Sequence, residues 1–291
     1  MIYKNILKMV IFMKIGISTG AYSRYGDKMF EKVKGFGYSA VDFLMSNTNA
    51  DIYTKDLNEV KEYLLHLKKL ANDAGIVVNQ AHGPWRWPPQ DDTLENRLER
   101  MEKMKRSIQM AYLLGAENFV IHPLEPFGIN DLDIGKQKET FGINYEFFME
   151  LLPTAKEYGV VICLENMPWD RFSMARPEDI LNFVNKINDD NFKACLDTGH
   201  VAALELSAGD SVRLLNKELR VFHVHDSYPG RDMHLLPYCG IIDWADFGAA
   251  VKEIGFDGVI SLETAPSEKL PKSIFEEMSL TLSKILKSIV E

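Results

Sequence analysis

The sequence predicts an α/β protein built as a single (β/α)8 TIM barrel. Three features carry this: eight short apolar runs, longer helix-period segments between them, and glycines where the helices stop. The runs are KIGIST (14–19), AVDFLM (40–45), IVVNQAH (76–82), NFVIH (118–122), VVICLE (160–165), FKACLD (192–197), LRVFHVH (219–225) and GVISLE (258–263). Each is rich in Val, Ile, Phe or Leu and too short for a helix. Their near-continuous apolar character fits strands buried on both faces, as in a parallel sheet.

Leu57 to Ala74 and Leu94 to Leu114 show the clearest 3.6-residue periodicity, and a last helix is expected from Pro271 to Val290. Gly37, Gly75, Gly115, Gly159 and Gly255 each fall just before a run, where a left-handed residue ends a helix. An open doubly wound sheet is the competing architecture. It usually has fewer strands, and no GxGxxG follows the first run. No linker divides the chain. Residues 14–291 are read as one barrel domain and 1–13 as an N-terminal extension that need not be native. An extra strand or an oligomer contact is the alternative for that segment, which is too short for the roughly 20 apolar residues of a membrane span.

The chain has 291 residues, with 33 Lys plus Arg against 42 Asp plus Glu, a formal charge of −9. An acidic surface repels a phosphate backbone at long range, which argues against a general nucleic-acid coat protein. Three cysteines (Cys163, Cys195, Cys239) without CxxC spacing fit a reducing cytoplasm better than a disulfide scaffold.

The C-terminal strand ends of such a barrel converge on one mouth. Here they deliver His82, His122, Glu165, Asp197 with His200 three residues on, His223 and His225 before Asp226, and Glu263. Buried carboxylates and imidazoles are costly unless paired or metal-bound. Any one of them can be a structural hydrogen-bonding residue or a helix cap. Glu165, Asp197, His223 and Glu263 taken together read better as metal ligands. Mixed oxygen and nitrogen donors suit Zn, Mn, Co or Fe, whereas Mg prefers oxygen. His225 shares the strand parity of His223, so both can face inward. Cys163 and Cys195 read as small buried hydrophobes.

The phrases carrying these groups are CLENMPW, CLDTGH, HVHDS followed by RDMH, and SLET. Together they resemble the xylose isomerase-like TIM barrels, over nearly the whole chain. That superfamily includes sugar phosphate isomerases and epimerases, ketose 3-epimerases, hydroxypyruvate isomerase and endonuclease IV. The resemblance implies one divalent ion, of Mn, Zn, Co or Mg, held by Glu165, Asp197, His223 and Glu263. It selects His223 over His225, because the ligand histidine lies three residues before the Asp of that motif. It also places His200 near substrate oxygens. The endonuclease IV pattern adds His82, His122, Asp232 and His234 as candidate ligands of further ions. One departure stands out: ketose 3-epimerases carry a substrate-holding Glu six residues after the position of Glu165, and here that residue is Arg171, beside Asp170.

The expected activity is therefore a metal-dependent sugar or sugar-phosphate isomerase or epimerase. Glu165 and Glu263 would act as base and acid, moving a proton through an enediolate held by the metal and by His200. Trp85, in the segment Trp85-Arg86-Trp87-Pro88-Pro89, and Trp169 are expected to wall the sugar, with His82 beside them and Tyr228 a further candidate. Arg171 and Arg231 are candidates to meet an anionic substrate group, or else surface ion pairs. The alternatives are a DNA repair nuclease of the endonuclease IV type, a keto-sugar lyase or dehydratase using the same site, and a non-catalytic metal binder. A nuclease calls for basic loops at the mouth, and only Arg86, Arg171 and Arg231 are scattered there. A carbohydrate partner, no membrane and a homo-oligomer complete the expectations.

Overall fold

The computed structural model describes residues 13–45, 51–85, 88–128 and 134–291. The segment 1–12, read above as an extension, lies outside these residues, as do Arg86 and Trp87. All eight expected runs form strands: β1 (Lys14–Ser18), β2 (Ala40–Leu44), β3 (Val77–His82), β4 (Asn118–Ile121), β5 (Val161–Glu165), β6 (Phe192–Asp197), β7 (Leu219–His223) and β8 (Val259–Leu262). They pair in parallel in sequence order, with β8 returning to β1. The ring closes between β7 and β8 just past the end of β7. There the Val224 amide donates to the Ser261 carbonyl at 2.8 Å, and the Glu263 amide to the Val224 carbonyl at 3.0 Å. This closure sets His223, His225 and Glu263 side by side.

The principal helices are α1 (Met29–Gly35), α2 (Leu57–Ala74), α3 (Leu94–Leu114), α4 (Ile134–Tyr158), α5 (Pro177–Ile187), α6 (Thr198–Ala203), α7 (Ala208–Leu215), α8 (Trp244–Glu253) and α9 (Lys272–Val290). The bounds of α2 and α3 are those of the periodic segments. Asp56 and Thr93 cap their N-termini, and Gly75 and Gly115 end them in the left-handed conformation. Successive helices pack against one another around the strands.

Large apolar side chains fill the layer between strands and helices. Phe148 of α4 and Phe183 of α5 meet Phe192 of β6 at ring separations of 5.2 and 5.9 Å. Each fully buried ring of this kind contributes about 1.5–3 kcal/mol. They fix the start of the strand that carries Asp197 at its other end. Inside the barrel, Val120, Cys163, Cys195 and Val221 form a small apolar layer. Each lies two residues before a polar mouth group, so the layer is a dry floor under the mouth. Both buried thiols stay protonated, because burial pushes Cys163 up to about 12 and raises Cys195 as well.

Two strand pairs are irregular. The β2–β3 register slips between Val41 and Asp42, and the β6–β7 register between Ala194 and Cys195. Such slips re-aim side chains, and both lie beneath the mouth.

Candidate metal centre and substrate cavity

Glu165, Asp197, His223 and Glu263 come from four consecutive strands, β5 to β8. Each offers a ligand atom within 4.8 Å of the others. Glu165 Oε1 lies 2.9 Å from His223 Nδ1, and Glu263 Oε2 lies 3.3 Å from the same nitrogen. The expected quartet is therefore one cluster.

Motif residues between the ligands lock the strand ends together. The Asn166 side chain accepts from the Asp197 amide at 2.8 Å and donates to the Asp197 carbonyl at 3.2 Å. The Thr198 hydroxyl donates to the His225 carbonyl at 2.7 Å and accepts from the His225 amide at 3.1 Å. Asp197 itself caps α6, accepting from the His200 amide at 2.6 Å. A Cβ on Gly199 would overlap the His225 ring. Strand-end sequences such as LEN and DTGH are thus mechanical as well as chemical.

The other expected residues surround the quartet. Glu165 Oε2 lies 3.3 Å from His82 Nε2 and 3.2 Å from His122 Nε2. Asp232 lies 3.4 Å from both His200 Nε2 and His234 Nε2. His225 is fully buried, with Nε2 3.0 Å from Asp197 Oδ2, so it braces a quartet member and joins a second grouping with Asp197 and His200. Sequence parity put it inward without revealing that role.

Electrostatics bind the groups tightly. Burial alone would raise the Glu165 carboxyl, but the neighbouring His223 and His122 hold it well below the usual carboxylate range. Asp197 is likewise brought down to about 2 by His200 and His225, against its burial. Burial disfavours charge on His200, yet Asp197 and Asp232 lift it to about 10. Burial and the charge of Glu165 raise Glu263.

These donors fit a divalent ion. Glu165 Oε2 and Asp232 Oδ1 are buried without any hydrogen-bond partner, although each faces imidazole nitrogens. Buried carboxylate oxygens without partners are costly, and a cation resolves that cost.

The cluster floors a cavity of about 280 Å³. His82, Trp85, Met167, Trp169 and His200 are among its lining, with Glu165 and Glu263 at the base. That volume sits near the lower bound for small-ligand sites, about 300 Å³, and suits one small molecule. Arg231 is exposed and outside this lining among the described residues; its carbonyl accepts from the Ser227 hydroxyl within a tight loop. Arg171 is outside it too, stacked 4.5 Å over the Trp169 ring, while Asp170 takes a two-point ion pair from Arg176. Arg100 and Lys103 do reach the cavity, engaged by Asp91 and Glu99. Sequence reading missed Arg100 because a helical arginine carries no local mark of its target.

The family model for the xylose isomerase-like TIM barrel matches residues 30–282, and the chain belongs to that family. A D-psicose 3-epimerase from Enterocloster bolteae is 24% identical over 86% of this chain and 82% of its own. A probable endonuclease 4 from Mycoplasmopsis agalactiae is 26% identical over 70% of this chain and 73% of its own. Among solved structures, a D-tagatose 3-epimerase-like protein aligns with TM-score 0.74 at 25% identity, covering 96% of this chain and 97% of the other. The IOLI protein with a bound zinc atom aligns with TM-score 0.73 at 21% identity, covering 96% and 98%. Among the described residues, no helix is long and apolar enough to cross a membrane.

Proposed function

We propose that this chain is a divalent-metal-dependent isomerase or epimerase of a sugar or sugar derivative. One observation carries the reading: two carboxylates, Glu165 and Glu263, reach one imidazole nitrogen from different strands at the floor of a small cavity walled by tryptophan. The sugar-converting relatives support it. Glu165, Asp197, His223 and Glu263 would hold the ion, which would polarise a substrate carbonyl and acidify the adjacent C–H.

The chain's own residues do the rest. Glu165 removes the proton from one face of the carbon and Glu263 returns one, on the other face for epimerisation. His200 is oriented by a 2.7 Å hydrogen bond from Nδ1 to the Asn166 carbonyl and turns Nε2 toward the mouth, where it stabilises the developing enediolate oxygen. Trp85 and Trp169 cover the apolar face of the substrate and exclude water. With Arg171 in place of the epimerase Glu, and both Arg171 and Arg231 outside the lining, the substrate is gripped chiefly through its oxygens.

The second reading is phosphodiester hydrolysis. It is favoured by the partnerless oxygens of Glu165 and Asp232 facing His82, His122 and His234, which suit further ions, and by the endonuclease-like relative. A metal-supplemented panel of sugars and keto-sugars, read by NMR for C–H exchange in D2O, tests the first reading. Exchange without loss of a leaving group supports it, and elimination products redirect it to a lyase. Nicking of duplex DNA with no exchange on any sugar overturns it.

A further inference from the structure

Four of the six histidines at the mouth share one arrangement. His82 turns Nδ1 to the Gly83 carbonyl at 2.8 Å, His200 to Asn166 at 2.7 Å, His225 to Asp226 at 3.2 Å and His234 to Glu263 at 3.1 Å. Each thereby directs Nε2 at a carboxylate. His223 is reversed. Its Nδ1 enters the quartet, and its Nε2 points down into the barrel, where it meets a side chain: Asp42 Oδ2, at 3.2 Å.

Asp42 is itself unusual. It lies in the middle of the apolar strand β2 and is 1% exposed. The register slip between β2 and β3 sets Gln80 opposite it, and the Gln80 amide donates to Asp42 Oδ2 at 3.2 Å. Gln80 is held in turn by Asn79, whose amide donates to Gln80 Oε1 at 3.1 Å. Asp42 Oδ1 and His223 Nε2 lack aligned hydrogen bonds, so the approach is short but not linear. Among the described residues no Lys or Arg pairs with Asp42, and a buried carboxylate without such a counter-ion is expensive to keep. Its position under the imidazole gives it a purpose.

We infer that Asp42 is the positioning residue of His223, held by Gln80, and that it sets the His223 tautomer and ring angle so that the Nδ1 lone pair faces the metal. This rests on the quartet being the metal site. A metal-ligating histidine generally gives its second N–H to a carboxylate or carbonyl, and losing that partner typically costs 10–100-fold in affinity. Asp42 would supply from a side chain what the main chain supplies to His82, His200, His225 and His234.

The test is Zn(II) and Co(II) affinity of the full chain, by competition with a chromophoric chelator. Asp42→Asn keeps shape and an acceptor, Asp42→Leu fills the space without one, and Gln80→Met frees the carboxylate. Expected losses are about tenfold or more for Asp42→Leu and smaller for the other two. Proton NMR of the Co(II) form should show one exchangeable, strongly shifted imidazole N–H, altered in Asp42→Asn and absent in Asp42→Leu. A folded variant that merely repacks the core would not move that resonance. If the unaltered chain binds neither ion, the metal reading fails and the positioning role with it. If it binds while all three variants bind equally and keep the resonance, the positioning role alone is overturned.

Discussion

Glu165 divides its work between two oxygens. Oε1 faces His223 and Oε2 faces His82 and His122, whereas Glu263 engages His223 and, more distantly, His234. Glu→Gln keeps an oxygen donor and removes the base, and acid–base roles typically contribute 10²–10⁴-fold. Glu165→Gln and Glu263→Gln should each lose at least about a hundredfold in turnover at matched metal occupancy. Glu165→Gln should also lose more metal affinity, since its amide meets imidazoles on both sides. Turnover with solvent deuterium incorporation checks both, and full activity in the two variants removes the two-carboxylate mechanism. At Gly199 there is no room for a methyl group against His225. Gly199→Ala should cost about 1–3 kcal/mol by overpacking, read as a lowered midpoint in urea. The quartet was legible because charged residues ending apolar runs are conspicuous. Asp42 was not, because a lone Asp inside AVDFLM reads as an interruption of a core strand until its neighbour across the barrel is known.

At the scale of elements, the loop leaving β4 is tied to α3 through Arg100. Its guanidinium meets Asp91 Oδ2 at 2.6 Å and donates to the His122 carbonyl at 2.8 Å, and Asp91 accepts from the Glu125 amide at 3.0 Å. Removing one partner of a largely buried pair leaves the other uncompensated. Arg100→Met should cost about 3 kcal/mol in urea unfolding and loosen His122 beside Trp85. Unchanged stability would mean that Asp91 finds another donor. The eight strands and the helices α2, α3 and α9 were readable to within a residue or two, since burial imposes period and glycine marks the stops. The slip at Asn79 left no trace in IVVNQAH, because one extra residue in a buried strand changes register without changing composition.

For the whole molecule, the crowding of charge at the mouth predicts how stability responds to pH and to metal. His200 is raised from 6.5 to about 10, so its contribution is fully present below about 6.5 and is lost as pH climbs through about 10. Asp197 is lowered from 3.8 to about 2, so its contribution is present above about 4 and is lost as pH falls through about 2. Chelator-treated protein should therefore show a falling Tm between pH 7 and 10. His200→Gln should flatten that slope, and an equal slope in the variant would count against His200 as its source. Metal at a hundred times its Kd adds about 2.7 kcal/mol, which for a chain of this size is roughly 5 °C in Tm. Net charge alone could not foretell this, because −9 over the surface says nothing of how acids and imidazoles are packed at one end of a barrel.

The orientation of the imidazoles also bears on how such a centre changes over generations. Four of the rings lean on peptide carbonyls, which every codon encodes alike, so no single amino-acid replacement at the supporting position deletes the support. His223 instead lies against the Asp42 carboxylate, which one nucleotide change can convert to an amide. If Asp42 positions His223 as inferred, position 42 is where a single replacement alters the support of a candidate ligand while the ligand set itself stays intact.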